Sequence, residues 1–402
     1  MKNTQINKKE PKSNNKNTEK NVWLLGITSF FNDIGGEMLA PILPLFLAYL
    51  GASGFIIGIV SGLREAISKV LQVFCGYWSD KIDKRKPFII FGYFFSGLSK
   101  IFLAVSTIWP LAVLFSGTER IGKGVREAPR DSLIANSGMS HGKAFAIQKS
   151  LDTAGGILGS ILVFVLFETL NLKFNTIILI ASCVVFISLI PVVFVKDFKS
   201  NDFQSDNKKQ TMIQDMKQLP KSVWLFIFVS GFFAFANFGY VFLILRAQQN
   251  FSDSLIIAAP LLLYILFNLI YAGFSIPFGI LADRIGRRRI MMFGYLMFII
   301  LSILLAIFIN LIVLIICFAF FGLVYAILQS QQKAFVADLT QKELDGTAIG
   351  VWNTATGLIA IPSGFISGYL WDINPSYTFA FGAVVCFIGL IIFYFGRKLN
   401  WF

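Results

Sequence analysis

Glu119, Arg120, Lys123, Arg126, Glu127, Arg130 and Asp131 lie close together in an otherwise apolar segment. At about 100° per residue in a helix they all fall on one arc of roughly 140°, and Ile121, Val125, Ala128 and Ser132 take the opposite face. Such residues can hold an anion, pass a proton or neutralise one another. A charge at the centre of a bilayer costs on the order of 2.5 to 3.5 kcal/mol by insertion scales, so this arc must meet water or partner charges rather than lipid. Arg120 sits about 17 Å along its helix at roughly 1.5 Å per residue, near mid-membrane. Pro129 is expected to kink or end the helix, which leaves Arg130 and Asp131 as its solvated end.

Further upstream, Asp33 and Glu37 are four residues apart and share a helix face, roughly 16 and 22 Å from the start of their segment. Burial and a nearby cation pull on a carboxylate's proton in opposite senses, so a carboxylate here whose surroundings change when substrate arrives suffices for proton coupling. Arg64, Glu65, Lys69, Lys100, Lys149 and Asp152 are further charges in apolar segments. Glu65 with Lys69 and Lys149 with Asp152 have helical pair spacing and are read as structural ion pairs. In the second half of the chain, segment interiors offer amides and phenols instead: Asn237, Tyr240, Asn268, Tyr271, Gln329 and Asn353. That half suits the apolar or hydrogen-bonding part of a small molecule.

The elements that must position these groups follow from hydropathy. Of 402 residues, 56% are hydrophobic, 44 are Phe and only 14% are charged. Apolar stretches of membrane-crossing length occur near 23–50, 55–78, 88–107, 109–135, 143–168, 175–195, 222–246, 255–281, 290–309, 311–335, 346–370 and 376–396, twelve in all. Lipid offers backbone amides no partner, so these must be helices, and the expected fold class is an all-α membrane protein. If the spans alternate, Lys81, Lys84, Arg85, Lys86, Lys143, Arg284, Arg287, Arg288, Arg289 and Lys342 share one side with the Lys-rich N-terminus and the middle connection. The positive-inside rule then places both termini in the cytoplasm, in a bacterial-type inner membrane. The net charge of +13 is mostly this topology signal and gives no reason to expect nucleic acid as a partner.

A motif occurs twice. Gly76 to Lys86 (GYWSDKIDKRK) returns as Gly279 to Arg289 (GILADRIGRRR), each copy ending an apolar segment. Val22-Trp23-Leu24 matches Val223-Trp224-Leu225, and Asp152-Thr153-Ala154 resembles Asn353-Thr354-Ala355, all at offsets of 201 to 203 residues. The expected organisation is a disordered cytoplasmic tail over 1–21, a six-helix half over 22–196, a cytoplasmic linker over 197–221 and a second six-helix half over 222–402. An even number of spans gives the halves one orientation, with a site between them near the midplane.

These residues resemble the major facilitator superfamily of twelve-helix transporters, over nearly everything after the tail. The family signature G-x-x-x-D-[RK]-x-G-[RK]-x-[RK] is met throughout by the second copy, and the first has Asp83 in place of its glycine. Arg120 and Gly124 meet R-x-x-x-G in span four, while Gly155, Gly156 and Gly159 meet the Gly-rich fifth helix of exporters only in part. The resemblance implies that helices one, four, seven and ten line the cavity, so Asp33 and Glu37 would face Arg120 and Lys123. It also implies that Gly76, Asp80, Arg85, Gly279, Asp283, Arg284 and Arg287 form a conformational latch closing the cytoplasmic side. Asp33, Glu37 and Arg120 are the expected proton-coupling residues. Lys123, Arg126, Glu127, Asn237, Tyr240, Gln329 and Asn353 are the candidates for substrate contact.

Two functions fit: a proton-coupled exporter of small amphiphilic molecules working by alternating access, and a carrier for an organic anion or anionic metal chelate. An enzyme or receptor has no catalytic constellation behind it, and no phosphate-binding loop supports direct ATP coupling. His141, the single histidine, reads as a solvated loop residue, so neither a His-based metal site nor a His-dependent triad can be built. Cys75, Cys183, Cys317 and Cys386 lack metal-ligand spacing and read as reduced packing residues. Neither cofactor nor metal is expected, and the expected partners are a small-molecule substrate, protons and the bilayer, with no obligate protein partner.

Overall fold

The structure, a computed structural model, describes residues 15–137, 139, 141–197, 212–252, 255–341 and 344–396. The N-terminal helices are α1 (Asn15–Tyr49), α2 (Gly54–Ile82), α3 (Lys86–Ala104), α4 (Trp109–Ala135), α5 (His141–Glu168), α6 (Phe174–Ile187) and α7 (Leu189–Val193). A short α8 (Met212–Lys217) precedes α9 (Lys221–Ala236), α10 (Gly239–Gln248), α11 (Leu255–Ile285), α12 (Arg287–Ile307), α13 (Leu311–Asp338), α14 (Asp345–Ile373) and α15 (Pro375–Gly396).

These helices account for twelve spans, two of them interrupted. Span six is α6 with α7, broken where Pro191 cannot continue the ladder and its ring would meet the Ile187 carbonyl. Span seven is α9 with α10. There Asn237 is extended, Gly239 takes φ +71°, and the Asn237 Oδ1 accepts from the Gly239 N–H at 3.0 Å. Ser363 Oγ donates to the freed carbonyls of Phe235 (2.8 Å) and Asn237 (3.3 Å), so the break is satisfied inside the bundle. Ten spans are long and apolar enough to cross a membrane by composition. The other two, α2 and α4, have 29 and 27 residues and carry the charges described above.

The repeated loop has a positive φ at the same motif position in both halves, but the two turns differ. Asp83 ends α2 in the left-handed helical region at φ +53°, ψ 35°, whereas Gly286 precedes α12 at φ +98°, ψ 129°, a conformation suited to glycine. The expected boundaries shift slightly. Residues 15–21, expected in the tail, are helical, because α1 extends past its apolar part and Asn21 ties it to the Lys196 backbone at 2.8 and 3.1 Å. Residues 1–14 and 198–211 lie outside the described residues. Asp197, expected to open the linker, accepts from the N–H groups of Arg85 (2.8 Å) and Lys86 (3.1 Å) and so caps α3. The four cysteines are unpaired, three of them buried.

The halves meet along α2 with α14 and α5 with α11. On α2, Gly54, Gly58 and Gly62 recur every fourth residue against α14: a β-carbon on Gly58 or Gly62 would collide with the backbone at Gly364 or Ala360, one on Gly368 with the backbone at Gly54, and one on Gly54 with the Trp371 side chain. At the outer end of this seam Asp372 accepts from the N–H groups of Gly54 (2.8 Å) and Phe55 (3.0 Å), capping a helix of the other half. There α10 also packs against α1 and α2. The halves are thus joined on the face remote from the Lys- and Arg-rich loops. Toward those loops α4 and α13 both line a central cavity and are not packed together along their length.

Candidate functional site

The cavity between the halves has a volume of about 520 Å³, the size of a small-molecule site. Among the described residues, every charged group lining it comes from α1 to α5, and α9, α10, α11, α13, α14 and the α9–α10 break supply rings, amides, hydroxyls and aliphatic groups. Asp33, Glu37, Arg120, Lys123, Arg126, Glu127, Asn237, Tyr240 and Gln329 all line it, brought together from α1, α4, α10, α13 and the α9–α10 break. Asn353 does not. The turns of α14 present Trp352, Thr356 and Ala360 to the cavity, which rotates Asn353 by about 100° into the protein, where it is buried.

Glu37 is held by the opposite half. Its Oε2 accepts from the Tyr264 hydroxyl at 2.7 Å and from Asn268 Nδ2 at 3.4 Å, and Asn268 also donates to Ser160 Oγ at 2.7 Å. A carboxylate of α1 thereby joins α11 and, through it, α5. Asp33, one turn away, accepts from Asn32 Nδ2 at 3.0 Å. The expected pairing of these carboxylates with Arg120 is replaced by a different one, because α4 carries its own carboxylate next to that arginine.

That carboxylate is Glu119, at 5% exposure the hub of a buried cluster. Its Oε1 accepts from Lys100 Nζ (3.1 Å) and Ser96 Oγ (3.2 Å). Its Oε2 accepts from Arg64 Nη2 (3.3 Å) and lies 3.3 Å from Arg120 Nε. Arg64 and Lys100 were recognisable in the sequence as buried charges, but nothing in their spacing shows that α2, α3 and α4 bring them to one acid. Arg126 is stacked on Tyr93, 4.6 Å from its centroid, with Nη1 on the Gly92 carbonyl at 3.4 Å. It borders the cavity as a packed side chain. Lys123 pairs with Glu127 at 3.5 Å and Lys69 with Glu65 at 3.0 Å, both at i,i+4 spacing. Lys149 instead reaches across the cavity to the Tyr271 hydroxyl at 3.4 Å, while Asp152 accepts from Gln148 Nε2 at 2.8 Å. The α4 helix continues through Pro129, and Arg130 bonds Ser29 Oγ at 3.1 Å and Asp131 at 3.0 Å.

The residues expected to form the latch bond within their own halves. Arg85, only 1% exposed, is gripped by Asp80 (3.0 Å), Asp83 (3.0 Å) and Ser132 Oγ (3.0 Å). In the second copy Arg287 takes that part, with Asp283 at 3.1 Å and Asp338 at 2.8 Å. Gly76 leaves room for Ala128 of α4, whereas Gly279 has no close neighbour and Arg284 is exposed. Each motif copy thus ties its hairpin to α4 or α13 of the same half through these contacts.

Tyr264, Trp352 and Thr356 were not anticipated. Tyr264, Asn268 and Tyr271 at i, i+4 and i+7 form one polar stripe on α11, a signal that was readable.

The sequence matches the Major Facilitator Superfamily over residues 25–268 and 261–399. It is 45% identical over 386 residues to an uncharacterised MFS-type transporter of Methanocaldococcus jannaschii, covering 95% of this chain and 96% of that protein. It is 22% identical to multidrug resistance protein 2 of Bacillus subtilis, over 93% and 94% of the two chains. The fold is similar to the crystal structure of the nucleoside transporter NupG, with a TM-score of 0.74 at 15% identity over 93% of this chain and 99% of that one.

Proposed function

The chain belongs to the major facilitator superfamily and is a multi-pass membrane transporter rather than an enzyme, and we propose that it exports small amphiphilic molecules in exchange for protons. The proposed setting is the cell's inner membrane, with the Lys- and Arg-rich face and both termini in the cytoplasm, as the positive-inside rule favours. The observation that carries the coupling is the bond from Tyr264 to Glu37 at 2.7 Å, made across the two halves inside the membrane. An ionised carboxylate is a strong acceptor for Tyr264 and Asn268 and ties the halves together; a protonated one is a weaker acceptor and loosens them. Proton binding at Glu37 therefore biases which side of the cavity opens, which is the differential interaction that alternating access needs. Asp33 stands one turn away to share that proton. Arg120 takes part by setting the positive potential of the facing wall.

Support for export comes from the whole-length similarity to a multidrug resistance protein. Support for an amphiphilic substrate comes from the contrast between a charged wall and an aromatic one. A second reading, a carrier for an organic anion or anionic metal chelate, is favoured by the excess of cations around Glu119. The test is proton flux in proteoliposomes with a pH dye inside, while lipophilic cations and organic anions are added outside. Substrate-triggered proton movement that disappears in Glu37→Gln is the expected result. Substrate uptake with no pH change removes the proton mechanism and leaves a uniporter or another coupling ion.

A further inference from the structure

We infer that the substrate carries an acidic head, a carboxylate on an aromatic body, and that the head is seated on Arg120 with Lys123 beside it. This rests on the reading that the central cavity is the transport site. The cavity's cations are unequally matched. Lys69 and Lys123 each have a carboxylate of their own, Glu65 and Glu127, at 3.0 and 3.5 Å. Arg64, Lys100 and Arg120 share the single carboxylate of Glu119, at 3.3, 3.1 and 3.3 Å. Three positive groups on one negative group leave a positive surplus in a region that water reaches only through the cavity.

The three cations differ in what they can still do. Arg64 and Lys100 have side chains 8% and 1% exposed and are committed to Glu119, to the Ser116 carbonyl at 2.8 Å and to Ser96 Oγ at 3.3 Å. Arg120 is the member turned toward the cavity, with a side chain 18% exposed and an Nε that is buried without a hydrogen bond. Lys123 lies one turn further on the same face, 36% exposed. Glu119 already shows how this wall holds a carboxylate, with a cation at each oxygen, and an arginine fork suits a second planar acid.

The facing wall suits the rest of such a molecule. Phe233, Tyr240, Tyr264, Phe267 and Trp352 line it, with Tyr240 and Tyr264 centroids 5.4 Å apart, and it bears no charge. The other carboxylates of the cavity are held elsewhere: Glu37 by Tyr264 and Asn268, Asp33 by Asn32, Glu65 by Lys69, Glu127 by Lys123 and Asp152 by Gln148. A lipophilic cation of the same shape would add charge to a wall already in surplus.

The test uses the full-length protein in lipid nanodiscs and three probes with one aromatic body: 2-naphthoate, 2-naphthalenemethanol and (2-naphthylmethyl)trimethylammonium. Titration calorimetry is expected to show naphthoate binding at least about tenfold more tightly than the alcohol, with the cation weakest, and a preference that shrinks as salt rises. Arg120→Gln should remove that preference while leaving the alcohol's affinity within about twofold, which also shows that the variant is folded, and Arg120→Lys should keep most of it. A cation that binds as tightly as naphthoate, or an Arg120→Gln variant that weakens all three probes alike, overturns the inference. If the three probes bind with no regard to charge, the head-group assignment falls and the cavity stands as the binding site. If none of the three binds, both fall.

Discussion

The two halves share a fold and differ in chemistry. Both put a positive φ at the same motif position, Asp83 or Gly286, and bond an arginine, Arg85 or Arg287, back to an aspartate. Yet the first half places all of the cavity's charge, and the second answers with Tyr240, Tyr264, Asn268 and Trp352. The repeat keeps what closes the hairpins, an aspartate, a residue of positive φ three positions on and an arginine that bonds back, although that arginine follows Asp80 by five residues and Asp283 by four. It did not preserve what faces the cavity, which has to fit one asymmetric molecule. The charged half senses protons and acidic groups, and the neutral half provides shape and hydrogen bonds. Of the polar links between them, Glu37 to Tyr264 is one made by a cavity carboxylate, and there a proton on one half is felt by the other.

The sharpest way to break this division is Glu37→Gln. Glutamine keeps an oxygen for Tyr264 but cannot lose a proton, so the cross-half bond no longer depends on protonation. Proton flux is expected to fall to background while substrate binding persists. Flux that survives would move coupling elsewhere on α1, with Asp33 the next residue to test.

Next in size is Glu119→Gln. Removing the carboxylate leaves Arg64, Lys100 and Arg120 facing one another inside the bundle, and an uncompensated buried charge costs about 3 kcal/mol or more. A clear drop in the thermal unfolding temperature is expected in detergent. The matching change in the neutral half, Asn268→Ala, loses only hydrogen bonds, about 1 to 2 kcal/mol. Equal losses would mean that the two halves share the load of polar burial after all.

A third comparison uses the repeated motif. Asp80→Asn weakens the grip on Arg85, a fully buried side chain, and should cost about 1 to 2 kcal/mol, because Asp83 still holds that arginine. Asp283→Asn acts on an aspartate whose side chain is 64% exposed and leaves Arg287 with Asp338, so an effect under about 0.5 kcal/mol is expected. Unfolding curves of the two variants test this. If either variant also changes how fast cysteine probes on the basic face react, its aspartate acts as a latch in a second conformation.

Contacts within one helix were legible in the sequence, and contacts between helices were not. Glu65 with Lys69 forms as its i,i+4 spacing implies, Lys123 and Glu127, expected as substrate contacts, have the same spacing and pair as well, and the arc of charge on α4 lines the cavity from Glu119 to Arg130. The twelve spans follow from hydropathy because each must satisfy lipid on its own. Lys149 and Asp152 have helical spacing too, but Tyr271 of α11 offers Lys149 a partner from across the cavity. Glu119 failed to stand out because its partners lie 19 and 55 residues away, and only the close approach of α3 and α2 to α4 reveals them. Asn353 was chosen for polarity, yet a helix buries or exposes a residue by its phase, and the phase of α14 is set by its glycine seam with α2.

A modest effect is expected at the far end of that seam. Asp372 of the neutral half caps α2 of the charged half, where its carboxylate meets the positive end of the helix and two unsatisfied N–H groups. Such a cap is worth about 1 kcal/mol, and here it also holds the halves together on the face remote from the basic loops. Asp372→Ala should therefore shift the conformational equilibrium about fivefold toward opening on that face, by the usual conversion of free energy to population. A single cysteine at Ser61, which lines the cavity, reports this as faster labelling by a membrane-impermeant thiol reagent applied from that side. Unchanged labelling would show that the glycine seam alone sets the closure, and that the cap stabilises α2 without taking part in alternating access.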